Sequence, residues 1–136
     1  MIINWMIGVA ELRKVARARL RDAKALCSAK RFDGATYLAG YAVEIALKAR
    51  ICVSLRWSGF PDTAKEFEGL TTFKTHKLPL LLRLSGRERS INPSMEVAWS
   101  VVASWDPETR YRAVGFSGKK DAELMILSAE AILKKL

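Results

Sequence analysis

The sequence predicts an all-α protein, an up-and-down antiparallel bundle of four to five helices that forms one domain over residues 1–136. In the longest segments, apolar residues recur at spacings of three and four, which is the period of a helix with one buried face. No segment alternates apolar and polar residues between hairpin turns, so a sheet is not expected. Helices joined in series by short connections pack most economically as an antiparallel bundle.

The composition is that of a folded globular domain. Half of the 136 residues are hydrophobic and 27% are charged, which allows one buried core, and no repeat or low-complexity tract suggests a second domain. The formal net charge of +9 predicts attraction to polyanions such as nucleic acid, nucleotides or an acidic protein. A basic surface kept only for solubility explains the same charge equally well.

Two cysteines, Cys27 and Cys52, lie within apolar helical patterns and are expected to be buried free thiols. The apolar start over residues 1–10 is short and lacks the basic residues and cleavage site of a signal peptide. No run approaches the roughly 18 apolar residues of a membrane span. We therefore expect a cytoplasmic protein without a membrane partner.

The first two helices are predicted over residues 5–28 and about 35–56. The first has an apolar face and a basic stripe, which is either a solvated outer face or a track for phosphates. That stripe consists of Arg13, Arg17, Arg21 and Lys24. The second helix has so little polar surface that we expect it at the centre of the bundle, with Asp33 as its N-cap.

The later helices are shorter and follow polar connections. Residues 57–75 are rich in Gly, Pro and Thr and predict a long surface connection. A short helix is expected over residues 76–84, another should end before Asp106, and a last helix should reach residue 136. The residues predicted to begin these three helices are Thr75, Asn92 with Pro93, and Ser117.

The central helix carries the most informative pattern. Tyr37, Tyr41, Glu44 and Lys48 are separated by four, three and four residues, which places them on one stripe of the helix. Glu44 and Lys48 can pair across one turn, and the tyrosines can stack on a flat ligand or hydrogen bond within the bundle. The stripe is either a structural ion pair with core tyrosines or one wall of a ligand site.

Two further places are candidates for ligand contact. His76 is the only histidine, which excludes a multi-histidine metal site, and at a helix start it either helps to hold an anion or caps the helix. Arg110, Tyr111 and Arg112 follow Trp105 in a loop, a combination suited to phosphate contact and base stacking. The alternative is a core tryptophan followed by solvated arginines.

The familiar catalytic signatures are absent. The chain has no glycine-rich phosphate loop, no GxSxG, no HExxH, and no cysteine with a suitably placed histidine. An enzyme is therefore the less favoured class, and no catalytic residue is assigned from the sequence.

Four segments of the chain resemble the HEPN family (higher eukaryotes and prokaryotes nucleotide-binding). Residues 31–51, which read RFDGATYLAGYAVEIALKARI, resemble its second-helix signature. Residues 75–78 (THKL) resemble a helix start with a histidine, residues 104–111 (SWDPETRY) the tract before the last helix, and residues 122–136 the closing helix. The resemblance covers nearly the whole chain, and the second helix is its most specific part.

The resemblance implies an up-and-down helical bundle that is frequently a homodimer. It also implies action beside a minimal nucleotidyltransferase, often in a toxin–antitoxin pair. The residues that match the family and are expected to line a groove are Glu44, Lys48, His76, Arg110 and Tyr111.

Other members of this family are metal-independent ribonucleases, which carry an arginine followed, after four to six residues, by a histidine near the last helices. In this chain no histidine follows His76. The positions that precede it at the required spacing, Gly69, Leu70 and Thr71, include no arginine. The sequence therefore lacks the ribonuclease motif.

The leading hypothesis is a non-catalytic HEPN-like module that binds a nucleotide or RNA, pairs with a nucleotidyltransferase, or does both, without a metal or other cofactor. The expected phosphate contacts are Lys48, Arg110 and Arg112, and the ring expected to stack on a base is Tyr37, Tyr41 or Tyr111. Two alternatives stay open: a metal-independent ribonuclease with a nonstandard site around His76 and Arg110, and a purely structural dimerisation or adaptor domain.

Overall fold

The computed structural model describes residues 7–91, 93 and 95–136, and within these residues the chain is a bundle of six helices. The helices are α1 (Val9–Ser28), α2 (Phe32–Leu55), α3 (Leu78–Ser85), α4 (Glu88–Ile91), α5 (Glu96–Val102) and α6 (Lys119–Lys135). Two short 3-10 turns, Thr71–Phe73 and Pro107–Tyr111, lie before α3 and α6. Strands β1 (Ile7–Gly8) and β2 (Gly59–Phe60) form a minimal antiparallel pair. The predicted all-α class is confirmed.

Helices α1 and α2 form a hairpin with only three residues, 29–31, between them, which requires the two helices to run antiparallel. The predicted apolar face of α1 turns inward, and the basic stripe faces outward: Arg13, Arg17, Arg21 and Lys24 are all exposed. The buried residues of α1 are Leu12, Ala16, Leu20 and Ala23. The helical period of the sequence therefore places both faces of α1 correctly.

Helix α2 is the central element, as predicted. Half of its 24 residues are buried, and it packs against α1, α3 and α6. Small residues such as Ala39 and Ala42 let the neighbouring helices approach closely. Cys52 is fully buried, and this burial raises the pKa of its thiol to about 11. Cys27 is only partly buried, so the expectation of a buried thiol is correct for Cys52 alone.

Two predicted N-caps near the start of α2 and α6 are wrong. Because α2 already begins at Phe32, Asp33 lies in its first turn, and its carboxylate accepts hydrogen bonds from the backbone N–H groups of Gly115 (2.7 Å) and Ser117 (2.9 Å). The Ser117 hydroxyl is hydrogen bonded to the Thr36 hydroxyl. Gly118 is the N-cap of α6. The two polar side chains tie the segment before α6 to α2 instead of capping a helix.

The predicted starts of the shorter helices also need correction. Helix α3 begins at Leu78, two residues later than expected, and the Thr75 hydroxyl accepts a bond from the Lys77 N–H (3.2 Å) ahead of the helix. Helix α5 begins at Glu96, and Asn92 lies outside the described residues. The single turn of α4 was not predicted, because four residues are too few to show a helical period.

The connection over residues 57–75 is more than a surface loop. Its aromatic rings pack on one another: Trp57 lies 4.8 Å from Phe73, and Phe60 lies 6.0 Å from Phe67, measured between ring centroids. Phe60 and Phe67 are buried. The prediction of a surface connection is wrong for these rings, which form a small apolar cluster beside α2.

Helix α6 closes the bundle against α2 and α5. The sequence predicts an inward face of Ala122, Met125, Ile126, Ala129, Ile132, Leu133 and Leu136. The first five of these are buried, and Leu133 and Leu136 are partly buried. In the described part of the chain, no helix combines the length and the hydrophobicity needed to cross a bilayer.

Candidate functional site

One face of α2 carries the predicted stripe. The rings of Tyr37 and Tyr41 are parallel to within 5°, with their centroids 6.3 Å apart. Glu44 and Lys48 continue the stripe toward the C-terminal end of the helix. From Tyr37 to Lys48 the helix rises about 16 Å. The stripe therefore has two ends, which meet different parts of the chain.

The Glu44 carboxylate organises the first end. Its side chain is only 2% exposed, and its Oε2 accepts a bond of 2.9 Å from Lys48 Nζ. His76 Nδ1 lies 3.2 Å from Oε1 and 3.1 Å from Oε2 of the same carboxylate. Burying a carboxylate is costly unless it is paired and hydrogen bonded, and Lys48 and His76 supply these partners. The predicted Glu44–Lys48 pair is confirmed.

Lys48 has a second contact that the sequence did not predict. Its Nζ lies 5.2 Å from the centre of the Phe60 ring, a geometry in which the ring face attracts the cation. The ammonium group is thus held between a buried carboxylate and an aromatic ring. The run of aromatic residues after α2 was the only signal for this contact in the sequence.

His76 lies ahead of α3 instead of on the helix as predicted, and its side chain is 62% exposed. A carboxylate oxygen only accepts, so Nδ1 donates to Glu44, and Nε2 of a neutral ring is left as an acceptor. Nε2 makes no hydrogen bond to any residue that the structure describes. Glu44 therefore orients an imidazole whose other nitrogen is unengaged.

Tyr41 connects this end of the stripe with the aromatic part. Burial, and after it the negative charge of Glu44, raises the pKa of the Tyr41 hydroxyl. The Trp105 ring packs against both tyrosines, with centroid distances of 5.8 Å to Tyr37 and 6.4 Å to Tyr41. Trp105 is only 6% exposed and is therefore a core residue. This agrees with the second interpretation of the segment, a core tryptophan followed by solvated arginines.

The packing of Trp105 depends on Gly40. A Cβ atom at this position would lie 2.2 Å from Trp105 Cδ1 and 2.3 Å from its Cγ, far inside van der Waals contact. Only glycine leaves room for the indole against the backbone of α2. The Nε1 of Trp105 is buried and has no hydrogen-bond partner in the described residues.

The second end of the stripe meets the turn Pro107–Tyr111. The Asp106 carboxylate caps this turn by accepting a bond of 2.8 Å from the Glu108 N–H. The Arg110 guanidinium lies over the Tyr111 ring, 4.8 Å from its centre. Hydrogen bonding to the hydroxyl of Tyr111, and then to that of Tyr37, raises the pKa of Arg110. Arg110 is thereby associated with one ring on the turn and one on α2.

This second end is open to solvent. Tyr111 is 71% exposed, and Arg110 and Arg112 are exposed as well. The Arg112 guanidinium lies 5.6 Å from the centre of the Phe116 ring. A cleft of about 270 Å³ lies here, and the predicted residues among its walls are Tyr37, Arg110 and Arg112.

Asp33 forms part of the same cleft, together with Val114 and Phe116. Its two bonds to the backbone of residues 115 and 117 hold the loop that forms one wall. Sequence reasoning missed these wall residues, because the loop has no periodic pattern and its attachment to α2 spans more than 80 residues of chain. The carboxylate of Asp33, beside the two arginines of the cleft, also limits how much anionic charge the cleft can accept.

Seven of the eight predicted site residues form two groups at the ends of the α2 face, and Tyr41 lies between them. Lys48 and His76 both contact Glu44 at one end, and Tyr37 lies near Arg110, Tyr111 and Arg112 at the other. No contact joins His76 to the arginines within the part of the chain that the structure describes. Nor do the described residues include three or more His, Cys, Asp or Glu side chains placed to hold a metal ion.

The chain was compared with protein-family models, curated proteins and solved structures. No family model, curated protein or solved structure matches the chain. The arrangement of the side chains is therefore the basis for a functional proposal.

Proposed function

We propose that the protein is a non-catalytic, HEPN-like module that binds a nucleotide or single-stranded RNA at the Arg110 end of the α2 face. The observation that carries this proposal is the exposed Arg110–Tyr111 pair beside a cleft lined by Tyr37 and Arg112. A guanidinium fork binds phosphate oxygens, and an exposed aromatic ring accepts a base by stacking. Both groups occur together at this end of the α2 face.

The charge of the whole chain supports the same ligand class. A net charge of +9 concentrates polyanions near the surface, and the turn offers two exposed arginines where such a ligand could dock. Solvated arginines alone would carry little weight, because basic surfaces are common. The stacked Tyr111 ring is what favours a nucleotide over an acidic peptide.

The HEPN resemblance supports the proposal from a separate direction. The most specific part of the resemblance, residues 31–51, forms the central helix, and residues 75–78 bring His76 onto that helix at Glu44. By the same resemblance we propose that the module is a homodimer and pairs with a minimal nucleotidyltransferase in a toxin–antitoxin type of system. Copurification from the host with such an enzyme tests this pairing.

We expect Arg110→Ala to weaken the binding of a fluorescein-labelled ten-nucleotide RNA about tenfold, because a charge-assisted phosphate contact is lost. Fluorescence anisotropy over a series of salt concentrations measures both the affinity and its salt dependence. Loss of one phosphate contact should reduce the slope of log K against log salt by about 0.7 for a single strand. An unchanged affinity and slope would count against the proposed site.

Two matched variants sharpen this experiment. Arg21→Ala removes the same charge from the exposed outer face of α1 and should leave the affinity nearly unchanged. Tyr111→Leu should lower the affinity but preserve the salt slope, because stacking involves no counterion release. If Arg21→Ala weakens binding as much as Arg110→Ala, the basic stripe of α1 is the phosphate track instead.

A second candidate function, a metal-independent ribonuclease, has one observation in its favour. Glu44 fixes Nδ1 of an exposed histidine and leaves Nε2 unengaged, and a carboxylate orients a catalytic imidazole in this way in general acid–base sites. This candidate predicts RNA cleavage that persists in EDTA and is lost in His76→Ala purified in parallel. Purified wild-type protein that leaves RNA intact over hours would eliminate the candidate.

A further inference from the structure

A second cleft lies between α1, α2 and α6. It encloses about 350 Å³, within the range of small-molecule sites, and shares no residue with the face proposed to bind nucleotide. Its walls are mainly hydrocarbon. The apolar residues that line it are Ala16, Leu20, Ala46, Leu133 and Leu136.

The rim of this cleft is cationic. Arg13, Arg17 and Lys134 line it, and none of the three forms an ion pair with any residue described. Its one acidic side chain, Glu130, is already engaged by Lys24, whose Nζ lies 2.9 Å from Oε1. That hydrogen bond lowers the pKa of Glu130, so the carboxylate stays charged but is neutralised by its partner. The rim is left with an excess of positive charge.

Two further arginines lie near Arg13 of this rim, although neither lines the cleft itself. Arg50 lies one helical turn beyond the cleft residue Ala46. Arg87 donates a hydrogen bond of 3.0 Å from Nη2 to the backbone oxygen of Lys135, which follows the cleft residue Lys134. The Nε atoms of both arginines are buried and lack a hydrogen-bond partner among the residues that the structure describes. A buried donor without a partner costs free energy, which an anion placed between the guanidinium groups would offset.

The positive charges around Arg50 also favour an anion at this place. Burial, and after it the positive charges of Arg87 and Arg13, lowers the pKa of the Arg50 guanidinium. Arg13 belongs both to this arginine group and to the cleft rim. The apolar walls of the cleft and the guanidinium groups of Arg50 and Arg87 therefore meet at Arg13.

We propose that this cleft binds a small amphiphile with a phosphate monoester head and a hydrocarbon body. The hydrocarbon would lie between α1, α2 and α6, and the phosphate would contact Arg13 and the neighbouring guanidinium groups. A phosphate dianion suits several adjacent guanidinium groups better than a single carboxylate does. RNA is the less suitable occupant, because its backbone would leave the apolar walls uncovered. The proposal does not depend on nucleotide binding at Arg110.

The test is calorimetric titration of the full chain with octyl phosphate, kept below its micelle concentration. We expect saturable binding with one site, at least about tenfold tighter than that of octanoate and undetectable for inorganic phosphate and octyltrimethylammonium. Arg13→Gln should weaken octyl phosphate binding about tenfold. Arg21→Gln removes an equal charge from the same stripe, two turns away at a position that does not line the cleft, and should leave the affinity unchanged. Ala46→Leu fills the cleft and should abolish binding.

The outcomes separate this proposal from the nucleotide site. Octyl phosphate binding that is unchanged in Arg110→Ala supports the proposal, even if RNA does not bind at all. Equal affinities for octyl phosphate and octanoate, or an Arg13→Gln protein that binds like the wild type, would overturn it. Because Arg13 is exposed, we expect its replacement to leave the fold intact, so this variant tests the proposal even if Ala46→Leu lowers the melting temperature.

Discussion

Gly40→Ala should lower the free energy of unfolding by about 3 kcal/mol, the upper part of the range for overpacked cores. The new Cβ would lie 2.2 Å from Trp105 Cδ1, and the indole can move away only by leaving Tyr37 and Tyr41. In an open helix the same substitution would stabilise the protein by about 0.5–1 kcal/mol, because glycine is the poorer helix former. Urea unfolding followed by far-ultraviolet circular dichroism measures the change.

Gly34→Ala is the matched control for this prediction. Gly34 lies on the same helix, and its added Cβ would meet only the terminal Cδ1 of Leu26, at 3.1 Å. The end of a flexible side chain can give way, so we expect a change within about 1 kcal/mol. A Gly40→Ala protein as stable as the wild type would show that Trp105 does not pack against α2 as described.

Lys48→Met is expected to lower the free energy of unfolding by about 3 kcal/mol, because removing one partner of a buried ion pair leaves the other uncompensated. Glu44 is 2% exposed and Lys48 18% exposed, so water screens the pair poorly. After the substitution the carboxylate keeps only the exposed His76. Replacing both residues, in Glu44→Leu/Lys48→Met, should cost less than the sum of the two single changes by about 1–3 kcal/mol.

Lys24→Met provides the comparison with an exposed pair. Lys24 and Glu130 are separated by the same 2.9 Å, but both side chains are at least one-third exposed. Surface pairs of this kind contribute about 0–1 kcal/mol. If the Lys24 and Lys48 variants lose equal stability, or if the Glu44–Lys48 cycle is additive, the buried pair does not organise this end of the stripe.

The helices that could be predicted are those with an unbroken apolar period. The inward positions of α1 and α6 followed from spacing alone, since burial on one face of a long helix is a local property of the sequence. Helix starts were predicted less well. Asp33 and Ser117 have the side chains of typical N-caps, but both bond to groups more than 80 residues away along the chain. Such competition between local and tertiary hydrogen bonds is not visible in a sequence.

In the candidate site, too, local features could be predicted and tertiary contacts could not. The Glu44–Lys48 pair and the position of both tyrosines on one stripe followed from helical spacing, whereas the parallel packing of their rings was not predicted. The contact of His76 with Glu44 did not, because it depends on how the segment before α3 returns to α2. Phe60 was assigned to a surface connection, since the local pattern there is rich in Gly and Pro and gives no sign of the aromatic cluster.

The central claim is that a nucleotide or RNA binds at the Arg110 end of the α2 face. The most direct test is photochemical cross-linking of the full chain to a short single-stranded RNA that contains 4-thiouridine, with the modified residues assigned by mass spectrometry. We predict cross-links at Tyr111 and Tyr37, competed by unlabelled RNA. Cross-links confined to α1, or none under conditions in which the protein is folded, would contradict the claim.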